Sequence, residues 1–287
     1  MNCTVQRANR IIRKVLRVLL RLCLVLYLAL CVVVGATQRR FIYFPPVFTP
    51  ATADQYAQSE KLERWKSPSG QSIGWKRLFP SQPARGRVLI THGNAGCAVQ
   101  CGRYADVIQQ AANFDVFIVE YPGYADRPGK PSERSLDTCA EEALQLLAVN
   151  GPVYLVGESL GTGVAAYLAG KYPDKVGGVV LLAPYNRFAG VAQEHMPFLP
   201  VRLLLRDRFP SEDYLRNYHG PVAMLVSGQD TVVPAKFGHR LYDSYAGPKR
   251  LWEFPQGDHG TVMVQPPEVW KQIVAFWQAN RQCPKYE

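Results

Sequence analysis

Three side chains of this sequence have the types and the order needed for nucleophilic catalysis: Ser159, Asp230 and His259. A serine hydroxyl is a weak nucleophile at neutral pH, so a histidine must take its proton during attack and return it to the leaving group. A carboxylate then holds the imidazole in the required tautomer and stabilises its protonated form. The trio therefore predicts acyl transfer, with Ser159 as nucleophile, His259 as base and Asp230 as its orienting acid.

The motif around Ser159 reads Gly157-Glu-Ser-Leu-Gly161 and follows the apolar run Val153 to Val156. Apolar residues then recur at helical spacing from Leu160 to Tyr172, which places the serine on a tight turn between a strand and a helix. Such a turn is strained and exposes the hydroxyl, and the flanking glycines let strand and helix pack closely. Because five residues of this kind also occur by chance, the prediction depends on the partners of Ser159.

Asp230 and His259 also follow predicted strands. Asp230 comes after the strand 222–227, and His259 lies in a glycine-flanked loop after the strand 250–254. Ligands of parallel sheets bind outside the carboxyl ends of the strands, so we expect the three side chains to meet there. Asp258 directly precedes His259, and the side chain of a sequence neighbour points elsewhere. Asp230 is therefore the better candidate for the carboxylate that orients the imidazole. The other histidines are interpreted as structural or surface residues: His92, His195, His219 and His239.

A tetrahedral intermediate needs hydrogen-bond donors for its oxyanion. The backbone N–H of Leu160, directly after the nucleophile, is one predicted donor. The glycine-rich loop His92-Gly-Asn-Ala-Gly96 follows the strand 87–91 and offers a second backbone N–H at Asn94 or Ala95. Tyr124 and Tyr185 are candidate pocket residues, although aromatic residues in such loops are often simply packed.

The remaining elements alternate between strand and helix patterns, which predicts an α/β fold with a doubly wound, mostly parallel sheet. Further strands are expected at 72–78, 87–91, 116–120 and 176–182, and helices at 97–112, 132–150, 235–245 and 267–280. Between 183 and 220 the pattern loosens into short apolar clusters with prolines. We predict a small lid there, at about 184–220, within a catalytic domain that spans 65–287.

The net charge of +10 is located almost wholly at the N-terminus. Of 33 Lys and Arg, eight lie in the first 40 residues, which have no Asp or Glu; this leaves 25 basic against 23 acidic residues elsewhere. The near-neutral remainder shows no basic stripe, so nucleic-acid binding is not predicted.

The window Val18 to Ala36 is apolar except for Arg21 and is long enough for a membrane-spanning helix. Basic residues concentrate before it, which predicts a cytoplasmic N-terminus and an extracytoplasmic catalytic domain, periplasmic in a bacterium. We expect a basic tail and signal anchor over 1–40, with a juxtamembrane linker over 41–64. The alternative is a cleavable signal peptide, for which Val34-Gly35-Ala36 supplies suitable small residues.

The cysteines could form disulfides or bind a metal. Cys97, Cys101, Cys139 and Cys283 lie after the apolar window, and in an oxidising compartment four cysteines allow three disulfide connectivities. The spacing of Cys97 and Cys101 lacks a second ligand pair, so no metal is predicted.

Six segments together resemble the α/β-hydrolase superfamily over roughly residues 65 to 282. They are Phe41-Ile-Tyr-Phe-Pro-Pro46, His92-Gly-Asn-Ala-Gly96, Glu120-Tyr-Pro-Gly-Tyr124, Gly157-Glu-Ser-Leu-Gly161, Ser227-Gly-Gln-Asp-Thr-Val-Val-Pro234 and Gly257-Asp-His-Gly260. More narrowly, the chain resembles membrane-anchored serine hydrolases related to the prolyl-oligopeptidase and dienelactone-hydrolase branch. In place of the usual Tyr-Gly-x-Ser it has Tyr124-Ala-Asp-Arg127, in a loop expected beside the pocket.

The resemblance implies hydrolysis of a carboxylic ester, thioester or amide through an acyl-enzyme, with no cofactor. We therefore predict a membrane-anchored serine hydrolase acting on a small-molecule or lipid-like ester. A serine peptidase of the same fold and a non-catalytic binding or scaffolding protein are the alternatives, and the intact trio argues against the latter. Neither the acyl length nor the oligomeric state follows from the sequence.

Overall fold

The computed structural model describes residues 2–81 and 83–280. Its centre is an eight-stranded sheet with the order β1-β2-β4-β3-β5-β6-β7-β8. The strands are β1 (Glu63–Lys66), β2 (Ser72–Arg77), β3 (Gly86–Thr91), β4 (Phe114–Val119), β5 (Val153–Glu158), β6 (Val176–Leu182), β7 (Val222–Ser227) and β8 (Lys249–Phe254).

The described helices alternate with the strands from β3 onward. They are α1 (Asn2–Thr37), α2 (Arg39–Ile42), α3 (Pro50–Ser59), α4 (Gly102–Ala111), α5 (Glu133–Leu147), α6 (Gly161–Lys171), α7 (Phe188–His195), α8 (Val201–Leu204), α9 (Ser211–Tyr214), α10 (Ala235–Ser244) and α11 (Pro267–Ala279). Helix α4 packs against α11 and α5 against α6. Helices thus cover both faces of the sheet, as the alternation predicts.

The sheet is parallel except at one edge, where β1 pairs with β2 and β2 with β4 in antiparallel fashion. The prediction of a mostly parallel α/β sheet is confirmed. Strands β3, β5, β6 and β7 are almost wholly buried, because a parallel sheet covered on both faces needs apolar side chains on each. Strand β1 was not predicted: only Trp65 of its four residues is buried, so it shows no alternation.

Three short helices, α7 to α9, lie between β6 and β7, in the segment 184–220 that the sequence analysis interprets as a lid. Pro197, Pro200 and Pro210 interrupt this segment, since proline cannot continue a helix beyond its first turn. We call residues 184–220 the lid.

The carboxyl end of α1 is joined to the lid by a polar seam. The Gln38 side chain donates to the Leu204 carbonyl (3.0 Å) and accepts from the backbone N–H of Arg206 (2.7 Å). The Arg39 guanidinium donates two hydrogen bonds to the buried carboxylate of Asp207 (2.9 and 3.1 Å), and Tyr43 adds a third at 3.1 Å. Burial and the nearby Asp207 carboxylate raise the pKa of Tyr43 well above its usual value, so it stays a hydrogen-bond donor.

Cys97, Cys101 and Cys139 are buried free thiols. Burial raises the pKa of both Cys97 and Cys139 to about 12, which keeps these thiols protonated and unreactive. Cys283 lies outside the described residues, so its pairing remains open.

Asp137 on α5 carries a buried carboxyl at 7% exposure, and its Oδ1 has no hydrogen-bond partner. Burial, followed by repulsion from Glu133 and Glu141, raises its pKa to about 8. An unfolded aspartate titrates near pH 4, at about 3.9. The folded state therefore binds the Asp137 proton more tightly than the unfolded state does. The contribution of this proton to the free energy of unfolding is lost as pH rises from about 4 through 8.

We expect Asp137→Asn to stabilise the protein at high pH, because the amide needs no proton to remain neutral. The melting temperature should rise by about 5 °C at pH 8.5 and change little at pH 5. The matched control is Asp243→Asn, which alters an exposed aspartate. A difference that is equal at both pH values would contradict this explanation.

Candidate active site

Ser159 occupies a strained turn between the end of β5 and the start of α6. Its φ is +50°, in the left-handed region that residues other than glycine rarely adopt. The turn is held from both sides: the Ser159 N–H donates to the Leu182 carbonyl (2.8 Å), and its own carbonyl accepts from the Thr162 N–H (2.9 Å) and hydroxyl (2.7 Å). These backbone hydrogen bonds thus fix the position from which the Ser159 side chain projects.

The glycines of the elbow are required by close packing. A Cβ on Gly161 would lie 2.1 Å from the Thr91 carbonyl oxygen, and one on Gly157 would lie 2.7 Å from the Cα of Thr162. Both distances are shorter than any tolerated carbon contact. The sequence pattern around Ser159 therefore has a direct steric cause in this structure.

Asp230 and His259 meet at the ends of β7 and β8. The His259 Nδ1 donates to the Asp230 Oδ2 at 2.7 Å. The other oxygen, Oδ1, accepts from the backbone N–H groups of Val232 (2.8 Å) and Val233 (2.7 Å). The carboxylate is buried, whereas the His259 ring is partly exposed. This arrangement fixes the imidazole tautomer and leaves Nε2 to exchange a proton with a reacting group.

Ser159 lies at the same edge of the sheet. The side chains of Ser159 and His259 are both described by the structure, and they make no hydrogen bond to each other. Contacts between nucleophile and base are often loose in a resting enzyme and tighten when substrate binds. The structure thus joins the predicted acid to the predicted base and leaves the serine free to face the cavity beside it.

Asn94 and Leu160, whose backbone N–H groups are the predicted oxyanion donors, lie beside Ser159. Asn94, Leu160 and Ser159 all line the cavity. Within the described part of the chain, neither the Asn94 nor the Leu160 backbone N–H donates to a protein acceptor. Neither N–H group is thus occupied by an acceptor among the described residues, and their role as oxyanion donors stays a prediction.

The Asn94 side chain connects this loop to the segment after α1, which sequence reasoning did not foresee. Its amide donates to the Ile42 carbonyl, and its Oδ1 accepts from the Phe44 N–H (3.1 Å) and the Tyr124 hydroxyl (2.9 Å). Tyr124 is fully buried behind Asn94. Tyr185 lies on the cavity wall, and its hydroxyl donates to the Leu160 carbonyl at 3.0 Å.

His92, Glu120 and Glu158 support the site from behind. His92 is buried, with Nε2 3.1 Å from the Glu120 carboxylate and Nδ1 2.8 Å from the Gly93 carbonyl. Glu158 accepts from Tyr104 (2.6 Å) and Arg103 (3.0 Å), which ties the elbow to α4. These contacts brace the loops that carry Asn94 and Ser159.

The unusual Asp126 and Arg127 brace the antiparallel edge of the sheet. The Asp126 carboxylate accepts from Arg64 at 2.7 Å. The buried Arg127 guanidinium donates to the carbonyls of Ile73 (3.0 Å) and Glu120 (2.6 Å). The departure from the usual loop sequence therefore has a structural role here.

The cavity beside Ser159 has a volume of about 240 Å³ and a mainly apolar wall. The wall comes from the end of α1 and the segment after it, from the lid, and from the loop after β7. Its residues include Val34, Gly35, Phe41, Ile42, Phe44, Val191, Met196, Leu199, Leu204 and Val233. The N-terminal contribution was not predicted, because the part of α1 after Arg21 is apolar on every side and gives no sign of which face it packs.

The comparisons with known proteins agree with this architecture. The model of the alpha/beta hydrolase fold family matches residues 86–212. An uncharacterized protein of Mycobacterium tuberculosis is 32% identical over 232 residues, covering 79% of this chain and 82% of its own. The chain belongs to the α/β-hydrolase family. The resemblance inferred from the six sequence segments is thereby confirmed at the level of the superfamily.

Other α/β-hydrolase relatives and structures extend the comparison. Lysophosphatidylserine lipase ABHD12 of Danio rerio is 29% identical over 214 residues, covering 65% of this chain and 54% of that protein. The esterase of Pyrococcus furiosus superimposes with a TM-score of 0.60 at 14% identity, over 84% of this chain and 98% of the esterase. The latter likeness shows the fold.

We expect Asp230→Asn to lower kcat for an ester by about 10³- to 10⁴-fold, because the amide no longer holds the His259 tautomer that accepts the serine proton. The matched control is Asp258→Asn, which changes the adjacent carboxylate, bonded only locally to Thr261. The control should stay within a few-fold of wild type. Equal losses in both variants of the hydrolase, measured with a p-nitrophenyl ester, would contradict the assignment of Asp230.

Proposed function

We propose that this chain is a membrane-anchored serine hydrolase that cleaves carboxylic esters or thioesters through an acyl-enzyme on Ser159. The observation that carries the proposal is the Asp230–His259 hydrogen bond, placed at the same sheet edge as a strained serine that faces an apolar cavity. A buried acid, an oriented histidine and an exposed hydroxyl are the parts that acyl transfer requires.

The reaction follows from these positions. The Ser159 Oγ attacks the acyl carbonyl carbon while His259 Nε2 takes its proton, and the backbone N–H groups of Asn94 and Leu160 stabilise the resulting oxyanion. Collapse expels the alcohol or thiol, which receives the proton from His259. Water then attacks the acyl-enzyme by the same steps, releasing the acid and restoring Ser159.

The lining and size of the cavity favour binding of the acyl chain of the substrate. Its wall is mainly aliphatic and aromatic, and Ser159 and Asn94 lie on it. A volume of about 240 Å³ is below the roughly 300–1,000 Å³ of sites for drug-sized ligands, which favours one chain over two. Among the relatives and structural neighbours are a lysophosphatidylserine lipase and a monoacylglycerol lipase, and their names accord with a lipid-like ester.

Membrane anchoring by α1 is part of the proposal. The stretch Gln6–Thr37 is long and apolar enough to cross a membrane, and most of it is exposed. An uncharacterized membrane protein of Saccharomyces cerevisiae is among the relatives, at 29% identity. The excess of arginines before the apolar window supports a cytoplasmic N-terminus with the catalytic domain outside. The narrower relation to the prolyl-oligopeptidase and dienelactone-hydrolase branch stays a prediction.

Retention of α1 in the mature protein is supported by its packing. Cys31 is buried, and Val34 and Gly35 are half-buried and line the cavity. Cleavage before Thr37 would remove these residues and open the cavity wall. This favours a permanent anchor over a cleavable signal peptide.

We expect Ser159→Ala to abolish labelling by a fluorophosphonate probe, because the alanine has no oxygen to form the phosphonate bond. The matched control is Ser69→Ala, which removes an exposed hydroxyl on the turn between β1 and β2. Labelling is read by gel fluorescence on the full chain. Equal labelling of wild type and Ser159→Ala would show that another residue is the nucleophile.

A further inference from the structure

One face of α1 packs against the lid on the N-terminal side of the polar seam, several turns of helix away from it. The face follows a spacing of three to four residues through Tyr27, Cys31, Gly35 and Gln38. The Tyr27 hydroxyl donates to the Phe198 carbonyl at 3.0 Å, and Cys31 is buried although the adjacent Leu30 and Val32 are exposed. The tip of the lid therefore lies alongside the proposed membrane-spanning segment.

The distance along α1 from Gln38 to Tyr27 gives the depth at which the lid tip would lie in a membrane. Eleven residues separate Tyr27 from Gln38, a rise of about 16 Å along a helix. One leaflet of the hydrocarbon core is about 15 Å thick, half of the roughly 30 Å total. If Arg39 and Arg40 mark the outer surface, the Phe198 backbone lies at the depth of the acyl chains.

The surface of the lid tip suits that depth. Phe198 is 88% exposed and Leu203 is 82% exposed. Large apolar side chains this open beside an apolar helix are typical of a surface that contacts lipid or a partner. Arg202 is the charged residue between them in the tip, and its long side chain can extend toward the lipid headgroups.

Carbonyl groups of the tip also have donors within the protein. The Gln193 Nε2 lies within hydrogen-bond distance of the carbonyls of Met196 (3.1 Å), Pro197 (3.4 Å) and Leu199 (2.9 Å) and shares its two N–H groups among them. The carbonyl of Phe198 is the one bonded by α1. The four successive carbonyls from Met196 to Leu199 thus each have a side-chain donor in range, which lowers the cost of moving this loop from water into hydrocarbon.

We propose that lid residues 196–204 insert into the outer leaflet beside α1, and that the acyl chain of a membrane lipid ester enters the cavity from there. Met196, Leu199 and Leu204 belong to this tip and line the cavity, as do Val34 and Gly35 of α1. A chain that leaves the bilayer between α1 and the lid therefore meets apolar surface all the way to Ser159. This inference rests on the proposed function, and it names the bilayer as the source of the substrate.

The activity test uses the full chain in phosphatidylcholine vesicles and the double variant Phe198→Asp/Leu203→Asp. Neither residue lines the cavity, so hydrolysis of soluble p-nitrophenyl butyrate should stay within about two-fold of wild type. Hydrolysis of a monoacylglycerol held in the vesicles should fall at least ten-fold. The control is Val149→Asp, which charges a residue that is 74% exposed just before β5, at the opposite end of the sheet from the site.

Unchanged hydrolysis of the vesicle-held ester by the double variant would overturn lateral entry. Loss of both activities would indicate a damaged lid, and absence of both in the wild-type chain would instead overturn the proposed function. In every case a second measurement tests insertion without activity: fluorescence of Phe198→Trp in vesicles of brominated lipid, after subtraction of the wild-type signal. We expect quenching at position 198 and none for Val149→Trp, and equal signals at both positions would overturn insertion.

Discussion

The buried carboxylate of Asp207 holds the end of α1 against the lid, and the shape of the candidate active site depends on this contact. It accepts from Arg39 and Tyr43 at once, and charge-assisted hydrogen bonds of this kind are among the strongest in proteins. With the seam in place, Val34, Gly35 and Phe41 become a wall of the cavity beside Ser159. The N-terminal segment is therefore part of the candidate site.

The predicted nucleophile and acid beside the cavity are held by backbone hydrogen bonds. Ser159 is held at positive φ by hydrogen bonds to Leu182 and Thr162, and Asp230 is oriented by two backbone N–H groups. Rigid strand ends carry both, which is how a site keeps its reacting groups in place. The opposite wall is formed by the lid and α1, and it is mainly apolar. Chemistry and substrate selection are thus assigned to different parts of one fold.

Much of the fold could be predicted from the sequence because the signals are local. The elbow at Ser159, the loop of Asn94 and the strand ends before Asp230 and His259 are each visible in a few adjacent residues. The seam is different: Gln38 and Leu204 are 166 positions apart, and no periodicity links them. Nor does the uniformly apolar sequence of α1 after Arg21 show that Cys31 is on the face that packs against the lid. Contacts between distant segments required the three-dimensional structure.

The most direct test is photo-crosslinking with a long-chain alkyl fluorophosphonate that carries a diazirine at the far end of its chain. After labelling of the full chain in vesicles, digestion and mass spectrometry locate both ends of the probe. We predict phosphonate on Ser159 and crosslinks within residues 27–44 and 188–205. Phosphonate on Ser159 with crosslinks confined to other segments, or phosphonate on a different serine, would contradict the account.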